Sequence, residues 1–197
     1  MQNDWQKYRD FFPTRYFHPG EFDEHIHQFL KQKTVSTILD IGGGAFGTEV
    51  LKSANAQVYL LDPYIEKAPD WMVGKVDENH SMQFDLVVCR GAINYLTLEQ
   101  MQKINSWIKN GGVFMANTFL TPPSTSWVER EVVNQANIKG KERYRLQGNV
   151  VEHELIFPDY EIKHEFFYHD LDTYYKAFGS LSYKTHGKNS AIIQVFG

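Results

Sequence analysis

Two carboxylates, a glycine-rich turn and four histidines carry most of the chemistry in this sequence. Asp40 closes an apolar run and is followed by Gly42-x-Gly44-x-x-Gly47, and Asp62 closes a second apolar run. Glycine lets a backbone turn tightly and approach a bound molecule closely. A carboxylate ending the next strand can accept hydrogen bonds from both hydroxyls of a ribose. Together these residues suit a ligand that contains adenosine. His18, His153, His164 and His169 are candidates to move a proton near neutral pH, and the sequence does not choose among them. Cys89 ends a third apolar run and reads as a small core residue rather than a nucleophile. As the single cysteine, it forms neither an internal disulfide nor a thiolate metal cluster, and no metal is expected.

The elements that must position these residues follow from periodicity. Residues 4–12 and 20–32 read as helices, the second because Phe22, Ile26, Phe29 and Leu30 share one face. Val35–Ile41 and "QVYLLD" (57–62) read as strands, with a short helix opening at Thr48 and running to Asn55. "FDLVVC" (84–89) is nearly all apolar, as expected of a strand buried on both faces of a parallel sheet. Thr97 and Gln100 have capping-box spacing, and Leu98, Met101, Ile104, Trp107 and Ile108 form the buried stripe of the helix they open. "NGG" (110–112) is expected to stop that helix, and "VFMANTF" (113–119) is a further strand. Strands alternating with helices predict a doubly wound, mostly parallel α/β sheet.

The remaining sequence reads differently. "GNVVEHELIFPDYEIKHEFFYHD" (148–170) alternates in two runs around Pro158-Asp159, which predicts an antiparallel hairpin. In that register Val151 opposes Phe166, His153 opposes His164 and Leu155 opposes Ile162, all on one face. The basic cluster "KGKERYR" (139–145) reads as a solvated hairpin or loop, with an anionic-substrate site as the sharper alternative. "LDTYYKAF" (171–178) reads as a helix, followed by strands at 181–186 and 191–196.

Asp40 bears on which adenosine ligand is held. The glycine spacing matches the dinucleotide fingerprint, and Asp62 suits either ligand. A pyrophosphate beside Asp40 would meet a like charge in a partly dry crevice, whereas S-adenosylmethionine brings a sulfonium and an ammonium. The chain here resembles the class I S-adenosylmethionine-dependent methyltransferases. "ILDIGGGAFG", "VYLLDP", "FDLVVCRGAINYL" and "NGGVFMANTF" carry the resemblance in the family's order, over roughly residues 35–120. It implies a Rossmann-like methyltransferase fold, here with N-terminal helices and an antiparallel β-hairpin insertion. It also implies that Asp40, Gly42 and Gly44 line the methionine part of the cofactor, that Asp62 holds the ribose, and that Arg90 and Gly91 lie beside it.

Two departures stand out. The family usually has glycine where Phe46 stands, with Gly47 one place later here. The stretch between Asp62 and Phe84 leaves little room for the usual helix and third strand, so Asp77 is only the nearest candidate for the adenine-contacting acid. No "NPPY"-like motif follows the fourth-motif strand, which argues against methylation of exocyclic base amines.

Bulk properties set the remaining expectations. At 197 residues the chain is expected to be a single domain: a helical cap (1–34), a cofactor-binding core (35–120), an insertion or lid (121–168) and a terminal helix with strands (169–197). A net charge of −4 gives no general attraction to nucleic acid or anionic membrane. No apolar run is long enough to span a bilayer, and "MQNDWQKYRDFF" lacks a signal-peptide layout, so a cytoplasmic location is expected. The expected activity is methyl transfer from S-adenosyl-L-methionine to an oxygen or nitrogen of a small molecule, with Tyr16 and Tyr95 as candidate walls of the acceptor pocket. The alternatives are an NAD-dependent oxidoreductase and a binding protein that keeps the cofactor pocket but transfers nothing.

Overall fold

A computed structural model of the chain describes residues 20–44, 47–134, 137–186 and 190–197. In chain order the elements are α1 (Glu21–Gln32), β1 (Thr37–Ile41), α2 (Glu49–Lys52), β2 (Gln57–Leu61), β3 (Gly74–Lys75), β4 (Phe84–Cys89), a 3-10 turn (Ile93–Tyr95), α3 (Leu98–Trp107) and β5 (Ile108–Phe119). Four strands follow, β6 (Val128–Val133), β7 (Lys139–Gln147), β8 (Val150–Phe157) and β9 (Tyr160–Phe167), then α4 (Leu171–Phe178), β10 (Ser182–His186) and β11 (Ser190–Phe196). These residues fall into two compact units, one of residues 20–120 with 170–197 and one of Thr121–His169.

The first unit is a seven-stranded sheet in the order β10-β11-β5-β4-β1-β2-β3. Strands β1 to β5 pair in parallel, while β11 runs antiparallel to both β5 and β10. Successive side chains of a strand point to opposite faces, and β4 shows the result. Val87 and Cys89 join one apolar cluster with α3 and α4, whereas Leu86 and Val88 join another with Phe22 and Ile26 of α1; Phe84 joins the first because the strand is irregular between Phe84 and Leu86. The predicted doubly wound sheet is thus present, with both faces covered. The second unit is a four-stranded antiparallel sheet, β6-β7-β8-β9, and its β8–β9 hairpin has the predicted register, with His153 opposite His164.

Local differences have local causes. The helix predicted at 4–12 lies outside the described residues. Strand β1 begins at Thr37 rather than Val35, and α2 is a single turn that stops short of Asn55. The third strand does form, as two residues beside β2, while residues 62–73 connect to it without a helix. The Thr97–Gln100 capping box is present. Leu98 is 38% exposed because first-turn side chains lean back past the helix end, so the buried stripe begins at Met101. The helix ends at Trp107, before "NGG". Ile108 already pairs with Phe84, and the register then shifts so that Val113 pairs with Leu86, which leaves Asn110–Gly112 as an irregularity within β5. The basic cluster 139–145 is strand β7, and it pairs on both sides.

At the amino ends of the central strands, Asp85 acts as a staple. One oxygen accepts from the Ser36 and Thr37 amides and the Thr37 hydroxyl, and the other from Lys109 Nζ at 2.9 Å. Burial pushes the Asp85 carboxyl up, but Lys109 and these donors overcome it and hold the pKa at about 2. A folded value below the unfolded 3.8 means stability that is present above pH 3.8 and lost as pH falls through about 2. Asp85→Asn is expected to cost about 2 kcal/mol in urea unfolding at pH 7, with the gap closing between pH 4 and pH 2. An unchanged midpoint at pH 7 would remove the staple.

Candidate functional site

The site begins where β1 ends. Asp40 is fully buried, and both of its oxygens accept from one residue: the Thr48 amide at 2.8 Å and the Thr48 hydroxyl at 3.0 Å. The carboxylate therefore folds back beneath the glycine turn. A Cβ on Gly43 would stand 2.2 Å from Asp40 Oδ2, so the middle glycine is required by contact. Gly42 is left-handed (φ +70°), and a Cβ there would meet Ala92 Cβ at 2.4 Å, which brings the turn against the segment that follows β4. The Gly42 amide donates to Leu61 O at 2.8 Å and pins the turn to β2. Phe46 lies outside the described residues, while Gly47 packs beneath Trp71 and Met72.

Burial raises the Asp40 pKa from 3.8 to about 6. The Thr48 bonds and the Arg90 charge oppose that rise, and Asp62 adds to it. Asp62, at the end of β2, accepts from the Gly44 amide at 3.0 Å and the Tyr64 amide at 2.9 Å. Each carboxylate oxygen has two lone pairs, so both keep capacity for a ribose hydroxyl.

Arg90 follows β4 directly and lies 2.8 Å from Asp23 Oδ2 of α1, with both side chains largely buried. Burial pushes the Asp23 carboxyl up, and Arg90 opposes the shift. Gly91 (φ +69°) donates its amide to Asn117 Oδ1 at 2.6 Å, and the position a Cβ would take has no heavy atom of the described residues within 4 Å. A bulky ligand therefore has space against this backbone. Asp77 lies two residues past β3, is exposed, and accepts from the Asn79 amide at 2.7 Å.

The structure thus gathers Asp40, Gly42, Gly44, Asp62, Arg90 and Gly91 at the carboxyl ends of β1, β2 and β4, with Asp77 just past the end of β3. Of the candidate walls, Tyr95 is half-buried at the end of the 3-10 turn, and Tyr16 lies outside the described residues with His18. His153 and His164 belong to the four-stranded unit, where His169 is buried 5.6 Å from the Phe167 ring. Sequence reasoning missed Asp23, Gly43 and Thr48. The run of three glycines after Asp40 was the available signal for Gly43; nothing local marks Asp23 as the partner of Arg90.

The donor set fits S-adenosylmethionine. Two carboxylates face the turn, the neighbouring guanidinium is balanced within the protein, and open space lies against Gly91.

No protein-family model matches the chain, and no curated protein matches it. Solved structures do. The CcbJ methyltransferase from Streptomyces caelestis is similar at 10% identity and a TM-score of 0.65, covering 95% of this chain and 96% of that one. The PH0226 protein from Pyrococcus horikoshii OT3 is similar at 14% identity and a TM-score of 0.63, covering 97% and 98%. The glycopeptide N-methyltransferase MtfA, solved with sinefungin, is similar at 12% identity and a TM-score of 0.58, covering 92% and 96%. With this strand order, its reversed β11 and these matches along nearly the whole length, the chain has the fold of the class I S-adenosylmethionine-dependent methyltransferases.

Proposed function

We propose that the chain is an S-adenosylmethionine-dependent methyltransferase acting on an oxygen or nitrogen of a small molecule. The observation that carries this reading is the sign of the charge at the carboxyl ends of β1 and β2. Asp40 and Asp62 stand there together, while Arg90, the cation beside them, is neutralised by Asp23. Two unit charges about 6 Å apart interact by about 3 kcal/mol at an effective dielectric near 20. That interaction attracts a sulfonium and repels a pyrophosphate.

When bound, the cofactor supplies a methyl group made electrophilic by its sulfonium. The chain's part is to bind, orient and exclude water. Asp62 takes the ribose hydroxyls, Gly42 and Gly44 let the backbone run along the methionine part, and Asp40 contributes a buried negative field. Gly91 leaves room beside β4, and Asp77 stands on the adenine side. MtfA, solved also with S-adenosyl-L-methionine, supports the choice of cofactor, and its methyl transfer to nitrogen supports the reaction class. No helix among the described residues is long and apolar enough to cross a membrane, and we place the activity in the cytoplasm.

Calorimetric titration with S-adenosylmethionine, S-adenosylhomocysteine and NAD tests the cofactor. The first two are expected to bind and NAD is not; tight NAD binding overturns the electrostatic argument in favour of an oxidoreductase. Methyl release against a panel of small amines, phenols and carboxylic acids tests transfer. Binding without release to any of them would favour the non-catalytic reading.

Two variants test the residues. Asp62→Ala is expected to weaken S-adenosylmethionine by about 1–3 kcal/mol, because the ribose hydroxyls lose a charged acceptor. Unchanged affinity in the folded variant would take Asp62 out of the site. Asp40 has a folded pKa of about 6, above its unfolded 3.8, so its favourable contribution is complete below pH 3.8 and lost as pH rises through 6. Asp40→Asn still accepts from the Thr48 amide. It should therefore gain about 1–2 kcal/mol over the native chain at pH 8 and lose that advantage by pH 4. The same variant should bind S-adenosylmethionine about a hundredfold more weakly at pH 8. The unmodified chain should lose affinity as pH falls below 6, and equal affinity at pH 5 and pH 8 would exclude Asp40 from the cofactor's field.

A further inference from the structure

The carboxyl ends of β4 and β5 carry an amide group that the cofactor argument uses only in part. Ala116 of β5 pairs with Cys89, the last residue of β4, and Asn117 follows it directly. Met115 lies on the face covered by α1 and Ala116 on the face covered by α3 and α4. By alternation Asn117 falls on the first face and Thr118 on the second. The end of β5 is held there. Its backbone pairs with β11, Asn117 opposite Ile192 and Thr118 opposite Ala191, and the buried Thr118 hydroxyl is hydrogen-bonded to the Tyr174 hydroxyl of α4.

The orientation of the Asn117 amide follows from its donor inventory. The Gly91 N–H only donates, so the atom that faces it at 2.6 Å is Oδ1, and the other branch of the amide is Nδ2. Nδ2 makes no hydrogen bond among the described residues, and it is not one of their buried unpartnered atoms, so it reaches solvent. Its surroundings are open as well. Asn117 is half-buried, Gly91 is exposed, and no heavy atom of the described residues lies within 4 Å of where a Gly91 Cβ would stand. An amide of fixed orientation, with a spare donor and room beside it, is a group placed to orient a ligand.

We propose that Asn117 Nδ2 binds a carbonyl-type oxygen, of an amide, ketone or carboxylate, on the molecule that receives the methyl group. That this molecule is a methyl acceptor rests on the reading above; the donor and its preference do not. Nδ2 donates and cannot accept, so the group it takes brings a lone pair. An ammonium in the same place would oppose hydrogen to hydrogen. The oxygen it takes is not the atom that is methylated, because a hydrogen bond to that atom would draw electron density from the lone pair that attacks. Asn117 is therefore a specificity residue: it selects acceptors whose nucleophilic oxygen or nitrogen has a carbonyl-type oxygen nearby.

Nitrogen–proton spectra of the labelled full-length chain, with the Asn117 side-chain amide assigned through its own backbone, test the donor. N,N-dimethylacetamide, which only accepts, and sodium acetate are the carbonyl probes; methylammonium chloride, which only donates, is the opposite one. At least one carbonyl probe should move the Nδ2 protons to saturation, the larger shift naming the neutral or the anionic class, and methylammonium should not. Nδ2 protons indifferent to both carbonyl probes, or moved equally by methylammonium, overturn the site. Asn117→Asp keeps an oxygen for Gly91 and loses the donor. Its Gly91 amide should stay protected from exchange, and the preference read at that amide should turn to methylammonium. A preference for the carbonyl probes that survives in Asn117→Asp would place the donor elsewhere and overturn the assignment; if the variant does not fold, titration of the unmodified chain decides. Calorimetry with S-adenosylhomocysteine separates this inference from the cofactor reading. Binding of S-adenosylhomocysteine with unmoved Nδ2 protons removes Asn117 and keeps the methyltransferase, and the reverse keeps the carbonyl site and removes the methyltransferase.

Discussion

The buried carboxylate of Asp40 decides the shape of everything near it. Its two bonds to Thr48 fix where the chain re-enters a helix, so α2 opens at Glu49 and Leu51 reaches the core. The same carboxylate occupies the space beneath Gly43 and leaves no room for a side chain there. The turn is then clamped from outside by Gly42 against Leu61 and Ala92. Keeping Asp40 ionised without water is unfavourable, as its raised pKa records. Such strain is tolerated where a ligand's opposite charge relieves it.

Asp23 matters for a different reason. Alone, Arg90 would place a positive charge beside the turn and make it hospitable to phosphate. The α1 carboxylate cancels that charge across the fold. The selectivity argued for this turn therefore rests partly on a residue of a helix far from the glycines in sequence, and α1 is more than a cover for Ile26 and Phe22.

The legible parts of this protein are those whose pattern is local. The alternation around Pro158-Asp159 yields the β8–β9 register residue by residue, and the Thr97–Gln100 spacing yields a cap. Asp40, the glycines and Asp62 are legible because strand, turn and strand follow one another directly. What remained hidden depends on pairing at a distance. Strand β7 looked like a solvated basic cluster, yet its alternation already separates the basic residues from Glu142. Only its register with β8 brings Glu142 to His153. Likewise β3 is two residues long and has no periodicity of its own; it exists because β2 offers an edge. The Asn110–Gly112 irregularity looked like a helix stop because glycine signals both.

The reversed strand β11 sets the order in which the molecule becomes complete. Strand β5 pairs on one side with β4, but on its other side Phe119 waits for Ser190 and Val113 for Phe196. The whole Thr121–His169 unit is made between those two events. That unit is a meander of neighbouring strands, and contacts close in sequence form fast. During synthesis it can fold while the far edge of β5 still has its amides and carbonyls unpaired. An open strand edge is a template for another chain. The last strand is therefore the seal of the sheet, and until residues 190–196 arrive, β5 is the point at which a nascent chain is exposed to mispairing.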